Sequence, residues 1–146
     1  MSNLKEANPA PDFQAKDELG NLVKLSDFKG KKNVILYFYP KDDTPGCTIE
    51  ACSFRDNLNQ FQTADTQILG VSFDDAASHQ AFKEKFHLNF PLLIDADKKI
   101  AQAFEVAGDQ YPSRDTIVID KDGKIKKILR KVDPKTHTEQ LLAILK

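Results

Sequence analysis

Residues 33–39, Asn-Val-Ile-Leu-Tyr-Phe-Tyr, constrain this chain more than any other stretch. β-Branched and aromatic residues follow one another without polar alternation, and Pro40 ends the run. A strand with one wet face alternates apolar and polar side chains, so an unbroken run points to a strand buried on both faces. A sheet that holds such a strand is covered by helices. Residues 68–72 and 116–119 repeat the pattern in shorter form.

The segments between these runs fit helices and turns. Residues 45–61 read as one helix, with Ile49, Cys52, Leu58 and Phe61 among its apolar positions. Asp74 or Asp75 caps a second helix that ends at Phe86, with Phe82 one turn before it. Residues 91–94 are a short extended piece, 98–104 a short helix, and 136–145 a last helix with Leu141, Leu142 and Leu145 facing the core. Upstream, strands at 12–16 and 22–25 flank a turn at 18–21, where Gly20-Asn21 signals a hairpin. Residues 26–30 form a single capped helical turn. Asp120-Lys121-Asp122-Gly123 is a tight turn into a return strand at 124–130. A strand pair joined so tightly is antiparallel, so the expected fold is α/β with a mixed sheet. The order resembles the thioredoxin fold with an N-terminal β-hairpin extension.

The 146 residues, 40% of them apolar, suit one domain with one core (residues 1–146). Lys and Arg total 21 against 22 Asp and Glu, a formal charge of -1, so neither a nucleic-acid nor an anionic-membrane footprint is present. No apolar run approaches the ~20 residues that cross a bilayer. Residues 1–17 carry no targeting pattern. Two cysteines, Cys47 and Cys52, are too few for a disulfide-stapled secreted scaffold, and the expected location is cytoplasmic.

Chemistry concentrates in residues 39–52. Pro45 suits the first helical position and Thr44 then caps the helix. Cys47 falls in the first turn, among N–H groups without intrahelical acceptors, where the helix dipole favours an anion such as a thiolate. Gly46 leaves the backbone beside the sulfur open to a small ligand. The helix start should sit at the C-terminal edge of a central strand, the usual ligand edge of an open α/β sheet. Taken alone, the same placement suits a small buried apolar residue, as most free cysteines are. Cys52 likewise suits the apolar face of the helix. Five helical residues separate Cα atoms by about 8.6 Å, beyond the ~7 Å limit for a disulfide. If the two cysteines bond, the first turns of the helix must unwind.

These residues resemble the peroxiredoxins, thiol-dependent peroxidases, through Pro40-x-x-x-Thr44-x-x-Cys47. Thr44-Pro45-Gly46-Cys47-Thr48-x-Glu50-Ala51-Cys52 is similar to the bacterioferritin-comigratory or Q-type subgroup. Pro11-Asp12-Phe13, Leu25-Ser26-Asp27-Phe28, Gly70-Val71-Ser72-x-Asp74, Phe90-Pro91-Leu92-Leu93 and Arg114-x-Thr116 extend the likeness along nearly the whole chain. The resemblance implies that Cys47 is the peroxidatic cysteine and Cys52 the resolving one. It implies that Thr44 and Arg114 bind the peroxide and the thiolate, with Pro40 and Gly46 lining the site. Asp115 stands where many members carry a neutral residue, which bears on how positive the field near Arg114 is.

The implied activity is reduction of hydrogen peroxide and organic hydroperoxides, without metal or organic cofactor. Cys47 passes through a sulfenic acid to a Cys47–Cys52 disulfide, which thioredoxin or a glutaredoxin-type dithiol reduces. A monomer suffices for that cycle. Full ionisation of an ordinary thiol of pKa about 8.5 gains at most ~30-fold in thiolate at pH 7, so the O–O bond must also be polarised by donors at the leaving oxygen. Arg114, the Thr44 hydroxyl and the Cys47 N–H are the candidate donors. A non-enzymatic thiol redox sensor and a general disulfide reductase are the competing readings, and the absence of Cys-x-x-Cys argues against the second. Glu50 reads as a solvated charge, and His79, His87 and His137 as surface residues. Asp42-Asp43 and Asp74-Asp75 read as turn and cap residues.

Overall fold

A computed structural model describes residues 4–108 and 110–145; residues 1–3, the start of the segment read as free of a targeting pattern, lie outside it. Chain order is β1 (Gln14–Lys16), β2 (Leu22–Lys24), a 3₁₀ turn (Leu25–Phe28), β3 (Asn33–Phe38), α1 (Pro45–Asp56), α2 (Leu58–Thr63) and β4 (Thr66–Ser72). There follow α3 (Ala76–Phe86), β5 (Leu92–Ile94), α4 (Lys99–Ala103), β6 (Thr116–Ile119), β7 (Ile125–Leu129) and α5 (His137–Leu145).

The apolar run becomes β3, the centre of a five-stranded sheet ordered β5-β4-β3-β6-β7. β4 pairs with β3 in parallel, and β5 with β4 likewise. β6 runs antiparallel to β3, and β7 antiparallel to β6. The sheet is mixed, as the tight turn at 120–123 requires. Successive β3 residues face opposite layers. Val34, Leu36 and Phe38 pack with Phe13, Ile100 and Phe104 in one layer. Ile35 and Tyr37 pack with Cys47, Ala51, Phe54, Phe61, Phe82 and Leu141 in the other. The central strand thus serves both layers, and Cys47 lies in the one formed with α1, α3 and α5.

One local reading changes and two become more specific. The helix expected over 45–61 breaks at Asn57, whose side-chain amide donates to the Ser53 carbonyl at 2.8 Å, giving the backbone an alternative to the helical ladder. Asp75 is the cap of α3, accepting from the Ser78 N–H at 2.9 Å, which leaves Asp74 for another task. The first hairpin closes through Asp17, whose carboxylate accepts the N–H groups of Leu19 and Asn21, while Gly20 adopts φ +84°.

Candidate active site

β3 delivers the chain to Tyr39, fully buried, and residues 40–44 then turn it into α1. Pro45 occupies the first helical position, as its missing N–H favours. Thr44 caps through its backbone: its carbonyl accepts the Thr48 N–H at 2.8 Å. Its hydroxyl donates instead to the Lys41 carbonyl at 2.9 Å, which ties the turn together. Cys47 is the third helical residue and is 1% exposed.

Arg114 reaches this point because of strand direction. β6 is antiparallel to β3 with Tyr37 opposite Thr116, and the Phe38 N–H donates to the Asp115 carbonyl at 2.9 Å. The residues just before β6 therefore lie beside the end of β3. Arg114 Nη2 sits 3.4 Å from Cys47 Sγ, and Nη1 donates to Glu50 Oε1 at 3.1 Å. A Cβ on Gly46 would lie 3.0 Å from Arg114 Nη2. The space over Gly46, expected to admit a ligand, is thus where the guanidinium crosses the helix start. Asp115 turns away, accepting from Arg130 Nη1 at 2.9 Å and the Lys131 N–H at 2.8 Å, so its charge is met elsewhere.

Cys52 is half-buried further along the intact α1, and both thiols are free. Thr44, Gly46, Cys47 and Arg114 come together; Cys52 lies about one and a half turns away.

Three buried residues overturn their reading as surface groups. Glu50 and Cys47 are one helical turn apart and share a face, which the spacing alone signals. Glu50 is 0% exposed; burial, only partly offset by Arg114, pushes its pKa up to about 8. His137 opens α5 one turn before the core residue Leu141 and is also 0% exposed. Its Nε2 lies 2.8 Å from Thr116 Oγ1 and 3.8 Å from Glu50 Oε2. Burial and the Arg114 charge push its pKa down to about 4. Glu50 Oε2 and His137 Nδ1 are buried and find no hydrogen-bond partner among the described residues. His87 is exposed, as expected.

His79 is fully buried behind the 40–44 turn. Its Nδ1 lies 2.6 Å from Asp42 Oδ2 and its Nε2 2.8 Å from the Leu93 carbonyl. With Asp42 ionised, both contacts are donated only by the doubly protonated ring, so these two oxygens favour the imidazolium form. Burial opposes that charge, but the Asp42 and Leu93 oxygens outweigh it and raise the pKa. Asp42 also accepts from Tyr39 and Ser78, and its N–H donates to Asp74. Asp42, Asp74 and His79 are close enough to suggest a cation site, but hydrogen bonds already engage their ligand atoms and join the turn to α3 and β5.

A first-turn helical cysteine facing an arginine at the edge of a thioredoxin-like mixed sheet defines the class of thiol peroxidases. The chain belongs to the AhpC/TSA family, which it matches over residues 7–128. It is 48% identical to peroxiredoxin Bcp of Bacillus subtilis over 94% of this chain and 92% of that one. It is 42% identical to the chloroplastic peroxiredoxin Q of Oryza sativa subsp. japonica, over 97% of this chain and 67% of that one. Peroxidoxin BcpB of Mycobacterium tuberculosis superposes with a TM-score of 0.92 at 33% identity, over 98% and 97% of the two chains. Xylella fastidiosa PrxQ, as a C47S mutant, gives 0.93 at 30% identity over 99% and 97%.

Proposed function

We propose that this chain, acting as one domain, reduces hydrogen peroxide and organic hydroperoxides through Cys47. The observation that carries the reading is the 3.4 Å approach of Arg114 Nη2 to Cys47 Sγ at the start of α1. The Cys47 thiolate attacks one peroxide oxygen while the O–O bond breaks. The departing oxygen gains charge and takes a proton to become water or an alcohol, leaving a sulfenic acid on the sulfur. In this scheme Arg114 and the Cys47 N–H meet the charge on the departing oxygen, the Thr44 hydroxyl joins them by turning from the Lys41 carbonyl that it bonds at 2.9 Å, and Pro40 and Gly46 line the site. A related protein, the bacterioferritin comigratory protein of Xanthomonas campestris, is described as having alkyl peroxide reduction activity, which supports the organic arm of the substrate class.

Cys52 then displaces water from the sulfenic acid to form a disulfide, after the first turns of α1 unwind. A thioredoxin or glutaredoxin-type dithiol reduces the disulfide by exchange. The cycle requires no second subunit, and we place the enzyme as a monomer in the cytoplasm; among the described residues no helix is long and apolar enough to cross a membrane.

NADPH-coupled peroxide consumption with thioredoxin tests the scheme. Cys47→Ser should be inactive, and retained turnover would overturn the reading. Cys52→Ser should lose thioredoxin-driven turnover yet form one sulfenic acid per chain on a single exposure to peroxide; full turnover would remove Cys52 from its role.

A further inference from the structure

Behind the thiol, one cation serves two acids. Arg114 gives Nη2 to Cys47 and Nη1 to Glu50, and the Glu50 carboxyl is fully buried. The groups facing Glu50 are Arg114 from the segment before β6, His137 from α5, and Tyr37 from β3 in the same buried layer, with Cys47 on its own helix. Only Arg114 is positive, since His137 is kept neutral and Tyr37 keeps its proton. When Cys47 carries the negative charge, a second anion at Glu50 would be left with an unpartnered oxygen away from water. Glu50 also lies between Cys47 and Cys52, on the stretch that must unwind for them to meet.

We propose that Glu50 is a positioning residue that holds a proton while α1 is closed, leaving the Arg114 charge to the Cys47 thiolate, and releases that proton to water when α1 opens for disulfide formation. Opening replaces the dry pocket by solvent, where a glutamate ionises near pH 4.3. The closed helix keeps the carboxyl protonated up to about pH 8. Across that window the closed, reduced protein binds one proton more than the open, disulfide form. Rising pH therefore favours opening, and reduction of the disulfide takes up one proton beyond those of the two thiols.

The inference rests on the Cys47–Cys52 pairing, and the test separates the two. The Cys47–Cys52 disulfide is equilibrated with dithiothreitol from about pH 5 to about pH 7, in wild type and Glu50→Gln. Thiolate absorbance is recorded in both so that thiol titration is subtracted. The wild-type equilibrium constant for reduction should fall about tenfold more per pH unit than that of the variant. Parallel lines overturn the proposal alone; failure of wild type to form the disulfide overturns the pairing as well. If Glu50→Gln does not fold, redox infrared difference spectra of wild type decide. The stretch of a buried protonated carboxyl should appear on reduction and vanish on oxidation, and a carboxyl signal unchanged between the states overturns the proposal.

Discussion

Gly46 shows how little space the site leaves. Its missing Cβ is the clearance for Arg114, and a methyl there would press on Nη2 at 3.0 Å. Gly46→Ala should slow sulfenic acid formation about tenfold in stopped-flow peroxide reactions, because small misplacement of a catalytic group costs rate steeply. Alanine is the better helix former by about 1 kcal/mol, so thermal stability should hold or rise. Lost rate with retained stability identifies displacement of the guanidinium; an unchanged rate would show that its placement does not limit the reaction. At this scale helix-start chemistry marks Cys47 in the sequence, whereas Arg114, which the structure brings to 3.4 Å from its sulfur, is singled out only by family resemblance. Glu50 is only half legible: its one-turn spacing from Cys47 puts it on the same face, but the cation that permits its burial lies 64 residues away. His137 is hidden in the same way, its Thr116 contact being 21 residues distant. Each depends on a strand pairing that no local pattern displays.

α1 is an element of two unequal halves. Its second half carries Phe54, whose ring lies 4.6 Å from Tyr37, 5.7 Å from Phe61 and 5.6 Å from His137. Burying a phenylalanine contributes roughly 1.5–3 kcal/mol. Ser53 Oγ adds a 2.6 Å hydrogen bond to Thr138 on α5. The first half buries only Cys47, Glu50 and Ala51, with no large apolar side chain among them. Local opening should therefore begin at the Cys47 end, where the fewest apolar contacts break. Hydrogen exchange tests this: amides of residues 48–52 in the reduced protein should exchange at least about tenfold faster than those of 54–56. Oxidation should strip protection from the first group and spare the second. Equal protection along α1 would contradict the division. The run-and-turn pattern makes β3, β4, β6 and the mixed sheet legible, since buried strands announce themselves by composition. The break at Asn57 is not, because a capping amide inside an apolar pattern resembles any other polar helix residue.

The whole molecule inherits a pH profile from three buried groups. Glu50, raised to about 8, binds a proton in the folded state that the unfolded chain gives up near pH 4.3, so its stability contribution drains as pH rises across that window. His137, lowered to about 4, acts oppositely, its contribution being lost as pH falls from about 6.5 to about 4. His79 is raised, so its contribution is complete below about pH 6.5 and is lost as pH climbs through its folded value. Below about pH 6.5 the first two oppose each other; above it Glu50 and His79 act together. Urea unfolding should show stability nearly level from about pH 5 to 6.5 and falling by on the order of 1–2 kcal/mol by about pH 7.5. Glu50→Gln should remove part of that fall. A profile that rises through neutrality would contradict the assigned signs.

The antiparallel entry of β6 also orders events in time. Cys47 and its guanidinium partner are 67 residues apart, and a ribosome adds about 5–20 residues per second. The thiol of a growing chain is therefore exposed for several seconds before Arg114 has even been made. Throughout that interval it is an ordinary cysteine without its cation, and a nascent chain meets peroxide no faster than any unfolded polypeptide would. Reactivity arrives with the closing of the sheet, so that sensitivity to oxidant itself certifies a finished fold.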